Sequence, residues 1–401
     1  MRNQISRRNL LTGAAALAPG YAVLSAQGSP LALAYIGTYS SPQGPEGSAG
    51  HGRGIYLYEM NPQTGELGQR ELFATDANPS WLALNPDKTR LYSANEITNF
   101  DGSSGSVTAW SVHQSSGKLT SVSTVSSEGA GPAHLSVHPS GRYIFVANYA
   151  GGTVAVLPIE ANGRLGRATD VKADQGSPGP KQPTSAPPGS FAISGHDHPH
   201  AHMVESDPTG RFVLAADLAL DRIYIWRFDP DRGKLTASDP AWVSLPPGDG
   251  PRHFVFHPNG RWFYSLQEES STLAAFDYDN GKLAAKQTLS TLAKGFAGTN
   301  FTSEVSISSS GRFLYAANRL HDTIAFFSID ASGRLAWIGE EWTRGDYPRS
   351  FSFDPTGRFL YCCNQRSDCV TCFRVNSETG ALSFTGQYTP IGTPARIVFL
   401  R

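Results

Sequence analysis

A repeated phrase in this chain carries histidine, arginine or glutamate at one fixed point. The clearest copy is GPRHFVFHPNGRWFY (250–264), in which Arg252 and His253 precede an alternating apolar run. Elsewhere the same point reads Ser80-Trp81, Ala133-His134, Ala201-His202, Ser303-Glu304, Arg349-Ser350 and Ala395-Arg396. An imidazole can take or give a proton near neutral pH, and a guanidinium fork suits a carboxylate, a phosphate or a developing oxyanion. A carboxylate among them can orient a histidine or hold a hydroxyl. A second set of polar residues, Glu96, Tyr149, Asp217, Glu268 and Arg319, ends the following strand of the same units. No Gly-x-Ser-x-Gly elbow or Ser-His-Asp arrangement is evident, so a covalent intermediate is not expected.

These residues are positioned by a repeat. An alternating strand, a turn and a leucine recur from GIYLYEMNPQTGEL to CVTCFRVNSETGAL. The closing residues Leu67, Leu119, Leu165, Leu235, Leu283, Leu335 and Leu382 lie 52, 46, 70, 48, 52 and 47 apart. A second element, GRYIFVANY, GRFVLAADL, GRWFYSLQE, GRFLYAANR and GRFLYCCNQ, follows each candidate site strand. Each unit holds about four short antiparallel strands in roughly 50 residues, the size of a propeller blade. The fold class expected is all-β, a seven-bladed β-propeller over residues 31–401. The last strand, ARIVFL, completes the blade that LALAYIGTY begins, which closes the ring and leaves no open sheet edge. The innermost strands of a propeller run the same way, so both polar sets should ring one mouth of the central channel.

Two features sort as scaffold. The recurrent Arg142, Arg211, Arg261, Arg312 and Arg358, and the strand-ending Asn95, Asn148, Asn318 and Asn364, repeat from blade to blade. On the inner strands, large Leu82, Leu135, Phe254, Val305 and Phe351 alternate with small Ala83, Ser136, Val255, Ser306 and Ser352, as close packing of sheets requires. The longest spacing holds a Pro/Gly/His-rich insertion (168–200), expected to lie over the mouth. Its HDHPHAH offers His196, Asp197, His198, His200 and His202 to a metal, although only His200 and His202 obviously share a strand face. Cys362, Cys363, Cys369 and Cys372 fall in one hairpin, where a disulfide or a zinc site is conceivable, but adjacent Cys362 and Cys363 alternate to opposite faces.

Thirty-three basic residues balance 34 acidic ones, which gives no reason to expect a nucleic-acid or membrane-surface partner. The paired Arg7 and Arg8 in SRRNLL precede LLTGAAALAPGYAVLSA, the pattern of a twin-arginine export signal over 1–27. A periplasmic location, delivered by the twin-arginine machinery, is expected, with no membrane span in the mature part.

The repeat set resembles the seven-bladed propeller lactonases, a family that includes the bacterial 6-phosphogluconolactonases and the fungal carboxymuconate cyclases. The marks are GPAHLSVHPSGRYIFVANYAGGTVAV, PHAH, DLALDRIYIWRFDP, GPRHFVFHPNGRWFY and KGFAGTNFTSEVSISSSGRFLYAANR, from Leu33 to the C-terminus. FTSEVSISSS departs from the family in lacking its Asp-Pro turn. The resemblance implies hydrolysis of a small-molecule lactone and adds His200 to the candidates. His134, His202, Arg252, Glu304 and Arg319 are expected to be catalytic; His200, His253, Arg349, Asp217 and Glu96 are expected to bind substrate. In this reading His202 or His134 activates water, Arg252 and Arg319 stabilise the oxyanion and hold the product carboxylate, and Glu304 orients a histidine or holds a sugar hydroxyl. No metal or other cofactor is expected, and a monomer is. Two rival readings stand beside it: a non-catalytic periplasmic propeller binding an acidic glycan or protein partner, and a metal-dependent lactonase using Asp217 and the histidine-rich loop.

Overall fold

The computed structural model describes residues 32–42, 49–192 and 196–400; the segment expected to direct export (1–27) lies outside them. Among the described residues are seven four-stranded antiparallel sheets and no helix. One blade illustrates the rest: Pro251–Phe256, Trp262–Gln267, Thr272–Asp279 and Lys282–Ser290 pair in order from the axis outward. The second strand is buried along its whole length, whereas the outermost is largely exposed. That gradient is why the inner strands read as near-continuous apolar runs and the outer ones as alternating. Closure is as the repeat requires: Ala32–Thr38 pairs with Pro394–Phe399, through partners such as Ile36 and Ile397.

The core is divided among the faces between neighbouring blades. Trp262, Tyr264 and Leu273 of one blade pack with Leu314, Ala325 and Phe327 of the next. Each such large side chain contributes about 1.5–3 kcal/mol on burial. The repeated arginines are ties between blades. Arg142 reaches the carbonyl of Pro230, Arg358 that of Pro62 at 2.6 Å, and Arg312 that of Ser377. Asn95 and Asn148 bind their hairpins, Asn95 through Ser106 and Thr108, Asn148 through Thr153.

The cysteine expectation is corrected. All four thiols are free and buried, and Cys362 and Cys363 enter different interblade cores. In the register, Thr371 faces Cys362 and Val370 faces Cys363, so no cysteine lies opposite another.

The insertion runs along the loops that lead into the inner strands. Gly179 donates to the Ala219 carbonyl, Ser185 bonds Asp249, and Ser190–Phe191 pairs in parallel with Gly298–Thr299.

Candidate active site

The inner strands begin in a common way. Pro79, Pro132, Pro251, Pro348 and Pro394 open theirs, at a place where no N–H is needed. The residue before each is left-handed: Asn78, Gly131, Gly250, Tyr347 and Thr393 have φ of 51, 59, 67, 63 and 42°. Immediately after the proline the strand bulges. Pairing jumps from Pro251↔Gln267 to His253↔Leu266, leaving Arg252 as the extra residue. The same jump frees Ser80, Ala133, Arg349 and Ala395.

This bulge corrects the alignment read from sequence. In the third of these strands the jump falls between Ala201 and Met203, so His202 is the counterpart of Arg252 and Arg349. His134 and His253 belong one residue deeper, with Trp81 and Arg396. Asp217 is also displaced by one. It pairs with Ala201 as Asn148 pairs with Pro132, so Leu218, not Asp217, is the counterpart of Glu96, Tyr149, Glu268 and Arg319. Asp217 is fully buried; it accepts from the Leu220 N–H at 2.9 Å and has the buried Asp174 carboxyl as a neighbour. Burial raises both carboxyls above their usual range. The pair is a turn support away from the channel.

The channel therefore has two chambers. A mouth pocket of about 150 Å³ is lined by Glu96, Ala133, Tyr149, His202, Glu268, Arg319 and Arg349. A waist that includes Tyr39, Trp81, His202, Arg252, His253 and Arg349 narrows it. Beyond, a chamber of about 450 Å³ holds His134, His253, Glu304, Arg396 and Glu205 and reaches the strand ends at Leu84 and Val137. The expectation of a single ring is replaced by this division.

Ion pairs hold the mouth rigid. Glu268 Oε2 lies 2.8 Å from Arg252 Nε and 2.6 Å from Arg319 Nη2, so one carboxylate oxygen clamps two guanidinium groups. Arg252 also donates to the Ser303 carbonyl, and Arg319 Nη1 to the Tyr347 hydroxyl at 3.2 Å. The left-handed backbone of Tyr347 is what presents that hydroxyl. Glu96 Oε2 accepts from Tyr39 (2.8 Å) and Ser80 (2.6 Å), with Arg349 Nη2 at 3.9 Å from its other oxygen. Burial and the neighbouring Arg319 and Arg349 bring Arg252 down to about 10, so it stays charged at neutral pH.

The imidazoles are neutral. Burial, then the positive charge of Arg252 and its neighbours, holds His202 well below its ordinary value. His253 is lowered by the same causes, and His134 by burial and by His253. His253 Nδ1 lies 3.1 Å from Glu304 Oε1, and Arg396 Nη1 lies 2.8 Å from the other oxygen. Glu304 thus contacts a histidine, in the rear chamber. The His202 and His253 rings meet at 5.1 Å across the waist. Burial raises Glu304 and takes Glu205 up to about 7.

His200 does not line the pocket. Its ring stacks on Tyr149 at 4.3 Å and 14°, and the tyrosine stands between it and the cavity. Its partners are Asp197 and the Tyr149 carbonyl, while His202 turns inward, so the two do not act as one ligand pair.

The sequence reading missed Tyr39, Tyr347 and Glu205. Tyr39 was findable: it follows Thr38, which pairs with Pro394 as Asn95 does with Pro79, and so completes the ring that includes Glu96 and Arg319. Tyr347 was marked by its place before Pro348, where the other copies have the smaller Asn78, Gly131, Gly250 and Thr393.

A family model described as lactonase, 7-bladed β-propeller, matches residues 33–399. The chain is 32% identical over 371 residues to the 6-phosphogluconolactonase of Bacillus subtilis, an alignment covering 92% of this chain and 98% of that one. It is 30% identical to a 6-phosphogluconolactonase of Formosa agariphila, covering 75% of this chain and 82% of that one. The structure is similar to the periplasmic gluconolactonase of Pseudomonas aeruginosa, with a TM-score of 0.81 and 32% identity, covering 92% of this chain and 99% of the other.

Proposed function

The chain belongs to the seven-bladed β-propeller lactonase family, and we propose that it hydrolyses the ring ester of an unphosphorylated sugar lactone in the mouth pocket. The observation that carries this is the meeting of His202 with Arg319 and Arg349 in one small, charged cavity. A base and an oxyanion partner are both needed for water to attack an ester.

In the proposed step His202 takes a proton from water as its oxygen bonds to the lactone carbonyl carbon. Arg319 and Arg252 face the negative charge that develops on the carbonyl oxygen, in a site with little water to screen it. The ring C–O bond then breaks and the leaving alkoxide takes the proton back from His202. The product acid ionises, so hydrolysis releases a proton to solvent. Of the two histidines expected as base, His202 fits this role because His134 faces the rear chamber.

Two observations favour a substrate without phosphate. The pocket is small, about 150 Å³, and the charge of its arginines is largely offset by Glu268 and Glu96, an offset that a neutral lactone tolerates better than a phosphate dianion. A phosphate dianion would have to compete with both carboxylates. The twin-arginine pattern supports export, and the similar Pseudomonas protein is a periplasmic gluconolactonase. The test is proton release by the mature protein on glucono-δ-lactone and on its 6-phosphate. A higher kcat/KM on the unphosphorylated lactone supports the reading; a preference for the phosphate ester overturns its substrate half, and no rate above buffer on either overturns the whole.

A further inference from the structure

We propose that Asp197, His198 and His200, at the end of the insertion, form a binding site for a divalent transition-metal ion of the zinc type. One ligand atom from each lies within 4.8 Å of the other two. His200 Nε2 is 2.9 Å from Asp197 Oδ1, and His198 Nδ1 is 3.0 Å from Oδ2. Around a tetrahedral zinc ion, with bonds of about 2.0–2.1 Å, neighbouring ligand atoms stand about 3.3–3.5 Å apart. The two histidine–aspartate separations fall a few tenths of an ångström short of this, and rotation of the exposed Asp197 and His198 side chains brings the set to tetrahedral spacing.

The second argument is the direction of the ring protons. His200 Nδ1 lies 2.9 Å from the Tyr149 carbonyl, and His198 Nε2 lies 3.2 Å from the Ala150 carbonyl. A carbonyl only accepts, so those nitrogens carry the hydrogens. The other ring nitrogens, His200 Nε2 and His198 Nδ1, both face the Asp197 carboxylate, so a cation seated between them meets two imidazole nitrogens and an anion at once. Backbone carbonyls that fix the tautomer of ligating histidines are the usual outer support of a metal site. Two imidazoles and one carboxylate suit zinc, copper or nickel rather than magnesium or calcium, and water completes the shell.

The site has a structural consequence for the pocket. His200 stacks on Tyr149, and Tyr149 lines the mouth and meets the edge of His202 at 5.4 Å. A bound ion fastens the end of the insertion behind that wall. It stands outside the pocket, and its existence does not depend on which lactone is hydrolysed.

The experiment uses the untagged mature chain, stripped with EDTA, dialysed and titrated with Zn²⁺ in a calorimeter. A single equivalent is expected to bind, and His198→Ala and Asp197→Ala, both at exposed positions, are expected to weaken it by about 100-fold or more, beyond outer-shell losses of about 10–100-fold. Zn²⁺ should raise the melting temperature of the wild type but not of these variants. Bound Cu²⁺ should show two coupled nitrogens by electron paramagnetic resonance. Equal Zn²⁺ affinity in wild type and both variants, or no saturable binding, overturns the proposal.

Discussion

The mouth pocket and the rear chamber are built from the same strands, and both contain histidine, arginine and glutamate. They differ in what those charges do. In the mouth, Glu268 and Glu96 hold three arginines in place around a cavity of about 150 Å³, and His202 faces that space. In the rear chamber, about 450 Å³, Glu304 is taken up between His253 and Arg396, and Glu205 adds a second, part-buried carboxyl. One residue along a bulged strand separates Arg252 from His253, and so separates the two environments. A step of one along a strand exchanges faces, so chemistry placed by repeat spacing alone can land in the wrong chamber.

The sharpest way to break this comparison is to remove one imidazole from each side. His202→Ala is expected to lower kcat on glucono-δ-lactone by about 10²–10⁴-fold, the usual range for a general base. His134→Ala, in the rear chamber, should cost far less in kcat. Equal losses in steady-state assays would mean that the rear chamber takes part in the chemistry.

Next comes stability. Glu304→Ala leaves the buried His253 and the part-buried Arg396 without their carboxylate, and urea denaturation should show a loss of at most about 3–5 kcal/mol. A fall in kcat with unchanged stability would instead make Glu304 part of the reaction machinery.

A smaller, pH-dependent effect is expected at Glu205, which shares its chamber with Arg396, Glu304, His134 and His253. Burial raises its carboxyl to about 7, so the fold binds the proton more tightly than the unfolded chain does. The associated stability is full below the unfolded value near 4.5 and is lost as pH rises through about 7. Glu205→Gln should therefore match the wild type at pH 4 and exceed it at pH 8 by roughly 1–3 kcal/mol, allowing for partial solvent access. Melting curves at both pH values decide the matter; a variant less stable at pH 8 contradicts the account.

The smallest effect should come from Asp217→Asn. The amide keeps the acceptor for Leu220 and restores the asparagine that four other blades carry as Asn95, Asn148, Asn318 and Asn364, so kcat/KM should stay within about twofold. A large loss would return Asp217 to the site.

Much of this was legible from the chain. The spacing of Leu67 to Leu382 and the unpaired first and last strands fix the blade count and the closure. The Gly-Arg turns could be recognised as scaffold because they recur, and Arg252, Arg319 and Arg349 as candidates because their neighbours differ. His202 and Asp217 were the places where register mattered. The strand of His202, with which Asp217 pairs, lacks the opening proline that marks the bulge in five other blades, and the insertion before it removes the spacing that would align it. The histidine-rich segment likewise read as one set of ligands, but the chain divides it between Tyr149 and the channel.

By itself the sequence determined the alternation, the turns, the repeat and therefore the closed ring, since these follow from local periodicity copied along the chain. It also determined which residue types would gather near the axis. Only the tertiary structure decided which of them share a cavity. A β-bulge is an unpaired residue, visible only against the partner strand, and burial and charge pairing belong to the assembled ring. The neutral state of His202 and the clamp of Glu268 on two arginines exist because separate blades bring those groups together.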